Sequence, residues 1–148
     1  METSESLSDI FSILHDGVII AWVGDRNQLT LIVECEYLAE LIDPSFDKFY
    51  IELSDIDKIE LDPWTFPIEA PTVIKTELAE IFKADLEILN AKIEGDSVEI
   101  ICNQHNKHVD YSGGKLTISC KQVEAFDQNK NRLTVDQLDG ICNRYWNR

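Results

Sequence analysis

Hydrophobic positions change period several times along the chain, and each change marks an element. Leu7, Ile10, Phe11 and Leu14 recur at helical spacing, and Ser6 lies three residues before Asp9. Residues 6–15 are therefore expected to form a short amphipathic helix stopped by Gly17. Residues 18–23 are apolar on both faces, and Gly24-Asp25-Arg26-Asn27 supplies turn chemistry. Leu29, Leu31, Val33 and Cys35 then alternate with Thr30, Glu34 and Glu36, which predicts a hairpin; Ile32 alone breaks its polar face. Residues 37–42 read as a strand extension or as one helical turn, ended by Asp43-Pro44-Ser45. Phe49, Ile51 and Leu53 alternate with Tyr50 and Glu52 to predict a strand, and a further short strand follows over residues 56–61.

Three of the four prolines fall between residues 62 and 71, so the segment 62–75 is expected to cross between two halves as an extended chain without ladder pairing. Residues 76–83 suit a short helix with Leu78, Ile81 and Phe82 on one side. Residues 86–94 and 98–102, joined by Gly95-Asp96-Ser97, predict a second hairpin. Residues 103–114 read as a polar loop, with Gly113-Gly114 as the turn into Leu116. Leu116, Ile118 and Cys120 alternate, and an apolar segment follows at residues 123–126. Thr134 with Gln137 three residues on is a capping box, and it opens a final helix over residues 135–146 that buries Leu138, Ile141, Cys142 and Tyr145.

The two halves resemble each other. Residues 48–60 read against residues 115–127 without a gap at an offset of 67, and both copies break their alternation at the same place. Leu53, Ile56 and Ile59 match Cys120, Val123 and Phe126, which suggests the same turn or bulge in each copy. Gly24-Asp25 and Gly95-Asp96 precede an alternating strand in each half. The expected architecture is a single domain over residues 1–148. It is α+β and mostly antiparallel, with two similar four-stranded meanders over residues 17–62 and 86–127. Their apolar faces require that they pack together or continue into one curled sheet, with the N-terminal and C-terminal helices covering an open face.

Composition narrows the function. The 148 residues carry 13 Lys and Arg against 28 Asp and Glu, a formal net charge of −15. Phosphate backbones repel such a surface and no basic stripe offsets it, so nucleic acid is not an expected partner. No apolar run approaches the roughly 20 residues that span a bilayer, so no membrane association is expected. Acid at residues 2, 5 and 9 is unlike a signal or transit peptide, and four dispersed cysteines are unlike a disulfide scaffold. A cytoplasmic location with reduced thiols is the expectation.

Each candidate for chemistry has a plainer reading. Cys102, His105, His108 and Asp110 are metal-ligand types, but no second ligand pair accompanies them and Cys102 shares the inward register of Val98 and Ile100, so no metal site is expected. Cys35 lies between Glu34 and Glu36, whose charge disfavours a thiolate, and only three histidines are present. Gly113-Gly114 lacks the Lys-Ser/Thr pair of a phosphate loop. No catalytic residue and no cofactor are therefore assigned. The carboxylates do concentrate in the first half: Lys121 and Gln122 stand in the second half where Ser54 and Asp55 stand in the first, and Ser119 where Glu52 stands. Trp64, after Pro63, is either an interface anchor or a plug between the halves.

His15-Asp16-Gly17, the alternating run 29–38, Phe49-Tyr50-Ile51-Glu52-Leu53 and Pro63-Trp64 together resemble a group of small bacterial proteins. Some of these are similar to immunity proteins that guard a cell against toxins of contact-dependent or polymorphic systems. The likeness covers the first half and carries over no functional residue. It implies a non-enzymatic inhibitor, which agrees with the acidic composition. The expected partner is a basic protein, such as a toxin, met by Glu34, Glu36, Asp55, Asp57 and Trp64. The other readings are a small-molecule-binding or enzymatic β-rich domain with a pocket between the halves, and a homodimeric structural module using an exposed sheet edge.

Overall fold

The computed structural model describes residues 2–65, 73–109 and 111–146. Helix α1 (Glu2–Ile13) leads into strands β1 (Val18–Gly24) and β2 (Gln28–Glu34), the short helix α2 (Glu36–Ala39) and the long strand β3 (Lys48–Thr65). After the crossing come helix α3 (Leu78–Ile81), strands β4 (Leu86–Glu94), β5 (Ser97–Asn103), β6 (Tyr111–Phe126) and β7 (Arg132–Leu133), and helix α4 (Val135–Trp146). All pairings are antiparallel, in the order β3-β2-β1-β4-β5-β6-β7. A further β3–β6 ladder closes six of these strands into a ring. The fold is thus α+β, with both halves continued into one curled sheet.

Each half contributes three strands to the ring where the hydrophobic pattern predicts four. The reason is the shared break in alternation. At residues 53–56 and 120–123 neither strand ends; the two breaks face each other, with Leu53 opposite Val123 and Ile56 opposite Cys120. Asp55 adopts a left-handed backbone (φ 50°), and the register shifts by one residue at Asp57. Asp55 N–H and Ile56 N–H donate to the carbonyls of Asn27 and Arg26, each at 2.9 Å, so the β1–β2 turn holds the kink from outside. The strand bends there and stays paired.

The register also displays a two-fold relation. At an offset of 67, Leu53 corresponds to Cys120 and Ile56 to Val123. The observed pairs Leu53–Val123 and Ile56–Cys120 therefore exchange under a half-turn, the mark of a self-complementary contact. The hairpins agree, since β1–β2 shifts register between Ile19 and Ala21, and β4–β5 shifts between Ile88 and Asn90, 69 residues on. Val18 pairs with Glu87, its own counterpart at that offset.

β1 and β4 meet over only two residue pairs and then diverge. Helix α1 and the turn after it cover the exposed β4 edge: Asp16 N–H donates to the Ile88 carbonyl at 2.7 Å, and Ser12 Oγ of the helix donates to the Ala91 carbonyl at 3.4 Å. On the other side Trp22 of β1 packs on Phe82 behind α3, ring centroids 6.5 Å apart. Covering edges in this way removes templates for unwanted strand pairing.

Several expected boundaries move, for physical reasons. Helix α1 starts four residues before the expected residue 6, because its first turn docks by polar contacts: Thr3 Oγ1 donates to the Lys121 carbonyl at 3.0 Å and Ser4 Oγ to the Asp96 carbonyl at 3.4 Å. It ends through left-handed Asp16 (φ 68°), with Gly17 N–H bonded to the Leu14 carbonyl at 2.9 Å. Residues 37–42 take the helical option at α2. Residues 62–65 continue β3, contrary to the expected unpaired crossing, and Pro63 is accommodated beside a register shift where a missing N–H costs least. Of the remainder of that crossing, residues 66–72 lie outside the described residues. Gly113 and Gly114 are inside β6, not in a turn before it. A Cβ on Gly113 would lie 2.2 Å from the Cys102 carbonyl oxygen and one on Gly114 2.6 Å from that of Asp62, so β6 is squeezed between both neighbours. The C-terminal helix and its cap match the expectation, with Thr134 N–H donating to Gln137 Oε1 at 2.7 Å and Gln137 N–H to Thr134 Oγ1 at 3.1 Å.

Phe11, Leu14, Leu31, Phe49, Ile51, Leu53, Leu61, Leu86, Ile100, Leu116 and Ile118 are fully buried in one contiguous core drawn from both halves. Among the described residues no helix is long and apolar enough to cross a membrane. The kink supplies a test. Asp55→Asn keeps a residue that tolerates the left-handed conformation and should leave the urea midpoint close to the parent's, whereas Asp55→Val should destabilise by about 1–2 kcal/mol.

Candidate functional site

The five residues singled out from the sequence are carried to three places. Glu34 closes β2 opposite Lys48, and Glu36 opens α2 on an exposed corner. Asp55 sits at the far end of the same strand pairing, beside the β1–β2 turn. Six residues of β2 separate the two ends, about 20 Å at the rise of an extended strand. Asp57 is the shifted residue of β3 and faces a wide polar groove with Thr3, Asp96, Ser119 and Lys121. Trp64 is seven residues further along β3, 42% exposed, with its carbonyl accepting Ser112 Oγ at 3.3 Å. Glu34 and Glu36 are brought together, Asp55 and Asp57 are brought together, and Trp64 stands apart.

A different group converges on the outer face of the ring. Leu31, Val33, Phe49 and Ile51 point inward and are fully buried, so the alternate positions Thr30, Ile32, Tyr50 and Glu52 face out. Ile32 pairs with Tyr50, and Tyr50 pairs with Phe126 across the β3–β6 seam. With Val23, 63% exposed, they floor a groove of about 380 Å³ that Glu52 and Lys130 border. An outward face of a half-solvated antiparallel sheet is ordinarily polar. Four apolar or aromatic side chains side by side depart from that rule. The sequence signal was Ile32, which breaks the polar alternation of its strand.

Charge completes the feature. Glu52 stands directly opposite Glu124 on this face. Like charges at such a pair have Cβ atoms only about 5 Å apart and destabilise the sheet. Each is partly compensated, Glu52 by the Gln28 amide and Glu124 by Arg132 at 3.9 Å. Lys130 reaches over Tyr50 with its ammonium 5.5 Å from the ring centroid. It comes from the β6–β7 turn, where the Asp127 carboxylate accepts N–H bonds from Asn129 and Asn131, both at 2.9 Å.

A second assembly locks the C-terminal helix. His15 stacks on Trp146 with centroids 5.7 Å apart and planes at 17°, Tyr37 meets Tyr145 at 4.6 Å, and Tyr37 Oη donates to the His15 carbonyl at 2.7 Å. These contacts tie α4 to the end of α1 and to α2, a structural use of the aromatics.

The remaining chemistry-bearing groups are placed as follows. Cys102 points into the core, where burial pushes its thiol up to about 12. His105 lies 3.1 Å from Glu87, His108 is exposed, and Asp110 lies outside the described residues. Among the described residues no three His, Cys, Asp or Glu side chains gather as a metal site. Burial likewise raises Cys35 to about 12, and burial followed by the nearby Asp57 charge raises Cys120 to about 11. Such thiols hold their protons at neutral pH and are poor nucleophiles.

The fold and this face together define a closed antiparallel barrel with helix-covered edges and an apolar, acid-rimmed groove across its seam. No family model, curated protein or solved structure matches the chain.

The raised thiols predict an alkaline limit to stability. From the ordinary value of 9.0, Cys35 and Cys102 rise to about 12 in the folded protein. Above pH 9 the unfolded chain has lost protons that the folded chain retains, so unfolding becomes easier. Their contribution is complete below pH 9 and is lost as pH climbs toward 12. Urea midpoints measured from pH 8 to 11 should fall for the parent, and less steeply for Cys102→Ala.

Proposed function

We propose that this chain is a non-enzymatic binding protein that recognises a basic protein partner, acting as an immunity-type or antitoxin-like inhibitor. The observation that carries the reading is the Glu52–Glu124 pair. Two carboxylates set directly opposite each other weaken the sheet that holds them, and a cation arriving from a partner relieves that repulsion. Net charge of −15 gives the same face a long-range pull on a basic surface and repels competing acidic proteins. Glu34, Glu36, Asp55 and Asp57 are exposed around the same barrel and extend the field beyond the groove. Trp64 is kept as an apolar contact at a more distant position.

The pocket between halves has less to support it, because Ile51, Leu53, Leu61, Leu116 and Ile118 fill the space where the halves meet. Ring closure through β3–β6, with helices over the diverging edges, also gives an edge-paired homodimer little to use.

The test is kinetic. A partner captured at low salt is purified and its association measured against the parent, Glu52→Gln/Glu124→Gln, Asp55→Asn/Asp57→Asn and Glu34→Gln/Glu36→Gln. At low ionic strength the first pair of changes should slow association by roughly tenfold and the second by less, with the differences shrinking once screening shortens to a few ångströms near 1 M salt. Removing Glu124 charge should also raise stability by a few tenths of a kcal/mol, since a like-charge pair is relieved. On-rates indifferent to all three pairs and to salt would sink the electrostatic reading.

A further inference from the structure

Resting on the acidic-binding reading, we infer that the Tyr50–Phe126 groove is the seat for one cationic side chain of the partner, and that Lys130 occupies this seat in the free protein. The groove has the two parts such a side chain needs. Ile32, Val23, Tyr50 and Phe126 offer an apolar and aromatic floor for an aliphatic stem, and Glu52 borders it with Glu124 opposite for the charged head. Long basic side chains bind in this divided way, stem on apolar surface and head toward charge.

Lys130 shows the seat in use. In a chain with 28 acidic residues, its ammonium makes no ion pair among the described residues and rests over an aromatic face, within the roughly 6 Å range of a cation–π contact. Its backbone is left-handed (φ 65°), a conformation that favours glycine or asparagine over lysine. The turn itself is built without the lysine head, by Asp127 accepting Asn129 and Asn131 N–H groups and by Lys130 N–H donating to the Asp127 carbonyl at 2.9 Å. The side chain is thus a placeholder on a rigid turn. A partner's cation displaces it into water, at no cost in turn geometry. An arginine suits the seat better than a lysine, because its planar guanidinium stacks on Tyr50 while its edge meets a carboxylate.

The probe is a fluorescent octa-arginine peptide, titrated by anisotropy against the intact chain at low salt. Lys130→Asn vacates the seat and suits the left-handed turn. Lys107→Asn makes the same charge change in the exposed loop after β5, at the other end of the β6 strand. The expected result is that Lys130→Asn tightens binding by about fivefold more than Lys107→Asn, the size of one cation–π contact. In the Lys130→Asn background, Tyr50→Leu should abolish that gain, and Tyr50→Phe, which keeps the ring, should retain it. The Phe variant separates loss of the ring from loss of the fold. Equal effects of Lys130→Asn and Lys107→Asn, or a gain lost in Tyr50→Phe, would overturn the seat while salt-sensitive probe binding left the acidic-surface reading standing. Absence of probe binding by every variant at low salt would overturn both.

Discussion

The β3–β6 ladder is the constraint on which everything else rests. It runs from Tyr50–Phe126 to Thr65–Tyr111 and is the contact that converts an open sheet of two halves into a ring. Non-local pairing of this kind carries a large loop-closure cost and must be supported by burial. Here the inward positions of the two strands, Phe49, Ile51, Leu53, Ile59 and Leu61 against Leu116, Ile118 and Ala125, are almost wholly removed from water. Continuous strands of this length cannot follow a tight ring without bending, and the bend falls where both sequences abandon alternation. Left-handed Asp55 and the extra residue at Asp57 supply it.

From the bend follows the outer surface. The ladder carries β2 with it, so residues of β1, β2, β3 and β6 are brought side by side on one outer face, and apolar positions that would be scattered on a flat sheet become neighbours. The groove and its opposed carboxylates are both products of that convergence. A closed core and a carboxylate-rich exterior also divide the labour, since apolar side chains stabilise the ring from within and charge is left free to act outside.

Local periodicity made the hairpins, the C-terminal helix with its Thr134–Gln137 box and the apolar inward register of β3 and β6 legible from the sequence. The offset of 67 located the kink. What periodicity cannot report is whether a break in alternation ends a strand or bends it, because that depends on the partner across the ladder. The same limit hid Gly113 and Gly114, whose place inside β6 is dictated by backbone approaching from two sides. The first turn of α1 was invisible for another reason: Thr3 and Ser4 dock by hydrogen bonds, which leave no hydrophobic pattern. The five residues expected at a partner contact are all exposed, yet linear proximity said nothing about the length of β2 that separates Glu34 from Asp55. Ile32 was the one visible mark of the groove, and only with Tyr50 and Phe126 beside it does the mark acquire a meaning.

The departures from two-fold symmetry are where the two halves come to differ in surface chemistry. By the hairpin and strand offsets, the Val33–Phe49 pair of the first half would reappear as Cys102 with Leu116; Cys102 instead pairs with Gly114, a slip of two residues. A slip of one would have turned every side chain to the opposite face, whereas an even slip preserves the core and costs only a change in what is neighbour to what. The outer face shows the consequence. At the offset of 67 the counterpart of Tyr50 is Thr117, which is 7% exposed and paired with Glu60, itself bridged by Lys58 at 3.2 Å. One end of the ladder therefore carries an aromatic groove with opposed carboxylates, and the related position, beyond the kink and inside the ladder, carries a glutamate bridged by its own lysine. Within one ring closed by one ladder, the aromatic floor and the opposed carboxylates thus gather around Tyr50 and Glu52, while the related stretch is taken by a threonine–glutamate pair and a lysine.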